Sequence, residues 1–181
     1  MAAHRYKETQ ASAKIAGLDE YQILDKHDGY LKASLENRMA IVKIIRGFNP
    51  DVVILHRNND YHPDHRATSQ LIQDASFLVM VPLYCPEISI PEKWSTFAYN
   101  WDHFQNSTPF RADAIIIIDD VIEQKMAMMN CHTSQFYEWL PWNKGYKDFD
   151  VKNMSKNEKR QWLLDNWICR CQRQSHLSVI R

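Results

Sequence analysis

The 181 residues are 45% hydrophobic and carry 22 Lys and Arg against 22 Asp and Glu, for a formal net charge of zero. That apolar content suits one globular domain with a sizeable core and excludes a disordered chain. The balanced charge removes any bulk electrostatic reason to bind nucleic acid or an anionic membrane.

No apolar run approaches the ~20 residues of a membrane-spanning helix, and the amino terminus lacks an apolar signal core. Cys85, Cys131, Cys169 and Cys171 form no C-x-x-C pair. They predict free thiols in a reducing compartment, and so a cytoplasmic location. Cys131 stands beside His132, but neighbours on a helix diverge by about 100°, which argues against a nucleophile–base pair.

In chain order, Ala2 to Leu18 reads as a helix stopped by Gly17. On it, Arg5 and Glu8 stand at i, i+3, the spacing of a surface ion pair worth ~0.3 kcal/mol. The apolar run Tyr21 to Leu24 is expected as a strand, and Asp28-Gly29 as a turn. Ser34 caps a second helix to about Gly47, with Leu35, Met39, Val42 and Ile45 on its buried face. Val52 to Leu55 is a continuous apolar run, the pattern of a parallel strand buried on both faces. A polar loop, His56 to His65, leads into a third helix over about Asp64 to Val79. Thr96 to Asn100 is expected as a strand, and Ala114 to Ile118 as a second fully apolar one. Asp119-Asp120 caps a helix through about Phe136, and Asn157 to Cys171 forms the last helix. This alternation predicts an α/β fold with a mostly parallel sheet, in a single domain over residues 1–181.

The densest chemistry is Asn59-Asp60-Tyr61-His62-Pro63-Asp64-His65. Two imidazoles and two carboxylates lie between a buried strand and a helix, at the edge of the sheet where α/β proteins form sites. Such residues suit zinc, and a carboxylate can orient an imidazole through its second nitrogen. On H-x-x-H alone, a polar helix-start loop with solvated histidines competes with that reading. His132, about three turns into its helix, reads first as a satisfied or solvated side chain. Asp119-Asp120 reads as a helix cap before a metal site.

Taken together, these segments resemble the PIG-L/LmbE family of zinc-dependent de-N-acetylases, from Arg5 to about Trp142. Arg5-x-x-Glu8 with Gly17-Leu18 is similar to the family's R-x-x-E helix. Asp28-Gly29-x-Leu31 is similar to its D-G-x-L loop, and Asp51 to Leu55 followed by His62-Pro63-Asp64-His65 to its P-D-v-v-l-H-x-x-D-x-H-P-D-H segment. Lys125 and His132-Thr133-Ser134-Gln135 resemble K-x-x-A-x-x-x-H-x-S-Q. The resemblance implies a three-layer, Rossmann-like sandwich and hydrolysis of an N-acetyl group on an N-acetylglucosamine-type sugar or glycoconjugate. It implies His65 as a Zn2+ ligand, His62 as acid or oxyanion stabiliser oriented by Asp64, and Arg5, Asp28 and His132 at the substrate.

In the family a His-Pro-Asp-Asp-Glu motif supplies two further ligands and the base, and the 181 residues contain no such motif. The expectation is therefore a truncated member whose sheet lacks its first strand and whose zinc site is incomplete. Its partner would be a small amino-sugar or glycoconjugate. Association through the open sheet edge would make a homo-oligomer. The alternative is an inactive remnant, or a sugar-binding or interaction domain. Ser175 to Arg181 match nothing in the family.

Overall fold

The computed structural model describes residues 2–146 and 149–168. They fall into two compact units, one built from Met1–Ile23 with Ala112–Arg181 and the other from Leu24–Arg111.

The second unit carries the sheet. Its helix α2 (Leu35–Phe48) starts where the Ser34 hydroxyl accepts the Asn37 N–H, and it ends where Asn49 turns left-handed at φ 53°. Strand β1 (Val52–Leu55), helix α3 (Pro63–Leu78) and strand β2 (Thr96–Tyr99) follow. The two strands pair in parallel, from Val52 against Thr96 to Leu55 against Tyr99. The crossover between them contains α3, as parallel pairing requires. Val42 and Ile45 of α2 meet Ala75 and Val79 at the end of α3, with Cys85 beneath them and Phe97 of β2 against them. The predicted burial of β1 on both faces does not hold. Leu55 is buried, but Val52 and Ile54 are 53% and 63% exposed, because among the described residues β1 has one strand neighbour and one helical layer.

Arg46 locks this core without an acid. Its buried guanidinium donates to five carbonyls: Nε to Val79, one terminal nitrogen to Cys85 and Ile88, and the other to Leu78 and Val81. All five donors of the fork are used. They bind the last carbonyls of α3 and its cap and fix the proline-punctuated segment that follows.

The first unit is helical. Helix α1 (Ala2–Ala16) stops at Gly17, whose φ of +70° suits a residue without Cβ. A 3₁₀ turn at Asp119–Val121 leads into α4 (Ile122–Cys131). A π-helical turn at Ser134–Trp139 then runs into α5 (Leu140–Asn143). Helix α6 (Lys156–Leu163) opens with a capping box between Ser155 and Glu158 and passes into a π turn at Leu164–Ile168. The helix predicted through Phe136 is broken at His132, where the backbone leaves helical geometry at φ −88°, ψ 61°.

Two predicted strands are absent. Tyr21 to Leu24 and Ala114 to Ile118 are irregular, and Ile115, Ile116 and Ile117 are exposed. Neither run has a hydrogen-bonding strand beside it among the described residues, and a β-branched run becomes a strand only against a partner. The structure thus shows an α/β fold with a two-stranded parallel sheet. Cys169, Cys171 and Ser175 to Arg181 lie outside the described residues. No helix among those described is long and apolar enough to cross a membrane.

Replacing Arg46 by Lys removes the fork: the Leu78, Val81 and Cys85 carbonyls each keep a backbone N–H, but the Val79 and Ile88 carbonyls lose their partner. We expect a loss of about 3 kcal/mol in urea unfolding, against less than about 0.5 kcal/mol for Lys at the exposed Arg111.

Candidate metal and catalytic site

The loop after β1 is organised by Asp60, a carboxylate only 7% exposed. Its Oδ1 accepts the His62 N–H at 2.9 Å and stands 3.0 Å from Nδ1 of His65. That second approach is off the line of a hydrogen bond, so the buried Nδ1 of His65 has no partner. His56, the first residue beyond β1, has its Nδ1 3.8 Å from Oδ2 of Asp60. Its ring stacks on that of His65 at 4.1 Å with 1° between the planes. Burial and the facing His65 push the His56 pKa down, with Asp60 and Asp102 opposing, so His56 is neutral at neutral pH.

His56, Asp60 and His65 each bring one donor atom within 4.8 Å of the others. Imidazole and carboxylate suit zinc, and an orphaned buried nitrogen beside a buried carboxylate is the feature that fits an ion here. The fit is that of His65 with Asp60. An ion lies near the plane of each imidazole that holds it, about 2 Å from the nitrogen. Two parallel rings stacked at 4.1 Å share no such point.

His62 faces the other way. As N-cap of α3 its Nδ1 accepts the Asp64 N–H at 3.2 Å, which leaves the ring proton on Nε2. That Nε2 lies 3.7 Å from a carboxylate oxygen of the exposed Asp28. The Asp64 carboxylate accepts the N–H of Gly29 at 2.6 Å and of Leu31 at 3.2 Å. Asp64 thus touches His62 through its backbone, while its side chain ties down the Asp28-Gly29 turn.

Beyond the strand ends, Asn100 extends the ladder by donating to the Leu55 carbonyl at 2.8 Å, and a cavity of about 210 Å³ opens there. His56, Asp60 and His65 line it together with Trp101, His103 and Phe104. The Arg57 guanidinium holds Asp102 in a two-pronged ion pair at 2.7 and 2.5 Å and donates to the carbonyls of Phe104 and Thr108. Burial would raise the Asp102 pKa, but Arg57, the Phe104 N–H and His103 together outweigh it and the net shift is downward.

Arg5 and His132 lie in the first unit. There the sequence reading of Arg5 and Glu8 as a surface pair is corrected, since Glu8 is 5% exposed. Its carboxylate accepts the Thr133 hydroxyl at 2.8 Å, the Ser134 N–H at 2.8 Å and the Ser134 hydroxyl at 2.6 Å. Arg5 donates to it at 3.1 Å from one terminal nitrogen, which also reaches the Ser134 hydroxyl at 3.3 Å. Glu8 thereby caps the helical turn that starts beyond the break at His132. Burial pushes the His132 pKa down, Arg5 adds to this and Glu8 opposes it.

Sequence reasoning assigned no role to His56 and offered Asp60 only as one of several alternative ligands, with Asp64 and Asp119. His56 and Asp60 both stand in the stretch that carries the resemblance, and their order after an apolar strand was the available signal.

Residues 1–76 match the family described as PIG-L: GlcNAc-PI de-N-acetylase. The chain is 28% identical over 151 residues to the diacetylchitobiose deacetylase of Thermococcus kodakarensis, a match that covers 78% of this chain and 54% of that protein. The chain therefore spans about half the length of that relative. Among solved structures, the N,N'-diacetylchitobiose deacetylase of Pyrococcus horikoshii, complexed with its inhibitor, matches with a TM-score of 0.66 and 27% identity, over 79% of this chain and 55% of that one. The 4-carboxy-2-hydroxymuconate hydratase GalB of Pseudomonas putida matches with a TM-score of 0.65 and 24% identity, over 78% and 59%. A conserved protein of Thermus thermophilus matches with 0.64 and 24%, over 80% and 64%. The last two show the fold alone.

Burial alone would raise the Glu8 carboxyl, but the Ser134 and Thr133 hydrogen bonds and the Arg5 charge hold it down at about 2, from an ordinary 4.5. A depressed carboxyl stabilises the fold above its unfolded value and loses that contribution as pH falls through the folded one. About 3 kcal/mol is therefore expected to disappear between pH ~5 and pH ~2. Unfolding followed across that range should show the loss in the parent chain and a much flatter profile in Glu8→Gln.

Proposed function

We propose that this chain works as a hydrolase that removes the N-acetyl group from an N-acetylglucosamine-type sugar or glycoconjugate, with zinc as cofactor. The observation that carries the reading is the buried, unpartnered Nδ1 of His65 against the Asp60 carboxylate, beside a strand end and one helical turn from His62. In this reading residues 1–181 are one partial deacetylase domain of a three-layer sandwich lacking its first strand.

His65 would hold the metal with Asp60 beside it. When bound, zinc supplies Lewis-acid polarisation of the amide carbonyl and activation of water. His62 keeps its proton on Nε2 because its Nδ1 is occupied by the Asp64 N–H. It would therefore donate a hydrogen bond to the oxygen that gains charge as the amide carbon becomes tetrahedral. Asp64 serves that step indirectly, by closing the first turn of α3 onto the Asp28 loop. We assign Asp28, Arg5 and His132 to substrate binding on the strength of the resemblance. Arg5 is suited to it, because one terminal nitrogen makes its bonds to Glu8 and Ser134 and the rest of the guanidinium has no partner among the described residues.

A second reading, sugar binding without hydrolysis, draws on the stacked imidazoles. They leave two donors converging on one point where a catalytic zinc takes three from the protein.

Acetate release from a methyl glycoside of N-acetylglucosamine, measured with and without added zinc, separates the two. Zinc-dependent release is expected. His65→Ala should remove zinc retention and release together. His62→Ala should retain zinc and slow turnover by ~10²-fold, because its hydrogen bond strengthens in the transition state. Sugar binding with no release at any zinc level would select the second reading.

A further inference from the structure

We infer that Trp101 and the loop it opens form a stacking platform for the pyranose ring of the substrate, so that the ring is recognised through its C–H face as well as through its polar groups. The inference rests on the deacetylase reading for the identity of the sugar, but the ring contact is separable from the chemistry.

The position is set by the sheet. After Leu55 and Tyr99 the two parallel strands release their chains at one edge, and the Asn100 N–H to Leu55 carbonyl bond fixes how they part. The crevice at the carboxyl ends of such strands is where open α/β folds take ligands. Here the crevice is a cavity of about 210 Å³, room for one sugar ring, lined by Asp60 and His65 together with Trp101, His103 and Phe104.

Its aromatic lining is continuous. Trp101 lies 6.4 Å from His103, His103 lies 4.6 Å from Phe104, and Phe104 lies 5.6 Å from Tyr61. Tyr61 in turn stands 5.8 Å from the His65 ring. Large aromatic faces left open beside a polar cluster cost free energy in water. A pyranose presents a patch of C–H bonds on one face and hydroxyls around its rim. It covers such a wall and keeps its polar groups for the histidines.

The wall is also rigid, as a binding surface should be. Arg57 grips Asp102 with two bonds and the carbonyls of Phe104 and Thr108 with two more. Asp102 Oδ1 takes the Phe104 N–H at 3.0 Å, and Asn59 donates to the Asn106 carbonyl at 2.7 Å. Arg57 and Asn59 both belong to the loop that carries the histidines. The platform and the reacting groups are therefore held in one frame, and little order has to be imposed when the sugar arrives.

The test is calorimetric titration of the full chain with the methyl β-glycoside of N-acetylglucosamine. Trp101→Ala should weaken binding by ~10-fold or more, and Trp101→Phe, which keeps a ring, by no more than ~3-fold. Equal binding by the parent and Trp101→Ala, or loss as large in Trp101→Phe, overturns the platform, and so does a parent chain that does not bind the glycoside. The two proposals fail separately. Trp101-dependent binding without acetate release sinks the hydrolase and leaves the platform. Acetate release with KM unmoved by Trp101→Ala sinks the platform and leaves the hydrolase.

Discussion

One buried carboxylate sets the geometry of the histidine loop. Asp60 is almost without solvent and sits just ahead of the amino terminus of α3. Burying a charge is expensive unless it is met by donors and favourable dipoles. Here the His62 N–H meets one oxygen, and the positive end of the α3 dipole lies beside it. The Arg66 guanidinium, one turn along, holds the carbonyls of Asp60 and Tyr61 at 2.8 Å each. Ser69, buried on the same helix, binds the His56 carbonyl at 2.6 Å. The loop therefore has few conformations open to it. The orphaned nitrogen of His65 follows from that fixity, since the ring cannot rotate into line with Asp60 without losing its stack on His56.

Much of the second unit was legible in the sequence because its signals are local. Ser34 as a cap and the helical spacing of Met39, Val42 and Ile45 each act within a turn of the residue that carries them, although Leu35, expected on the same buried face, lies at the first turn and is 60% exposed. What was missed depends on partners far along the chain. Tyr21 to Leu24 and Ala114 to Ile118 have the composition of strands, but composition does not say whether a neighbour is there to pair with. Arg46 has no acid to advertise it, because its partners are backbone carbonyls 32 to 42 residues away. Glu8 showed its neighbour Arg5 at i, i+3, whereas the bonds that bury it come from Ser134, 126 residues on.

The site was legible as a cluster and not as an arrangement. The order His56, Asp60, His62, Asp64, His65 announces ligands and carboxylates near a helix start. Which nitrogen points where depends on the stack of two rings and on a helix cap, and neither has a sequence signature. The fold does not settle the reaction either. A deacetylase and a hydratase share it at nearly equal TM-scores, so the chemistry has to be argued from side chains.

The helix start itself explains why His62-Pro63-Asp64-His65 functions as a unit. The first N–H groups of a helix have no partner inside it. Proline at the first position carries none, and the next, that of Asp64, is taken by Nδ1 of His62. That single bond forces the His62 proton to Nε2 and turns the ring into a donor. The Asp64 carboxylate, favoured by the helix dipole, is left free to fasten a distant turn through Gly29 and Leu31. Three residues after the cap, His65 falls on the same side of α3, its ring 4.8 Å from that of His62. Its Nδ1 is directed inward, against Asp60. One turn of helix thus sets side by side a histidine that presents an N–H at Nε2 and a histidine whose buried Nδ1 makes no hydrogen bond. The hydrolase we propose would use the first as donor and the second as ligand, a pairing that helix capping alone would bring about.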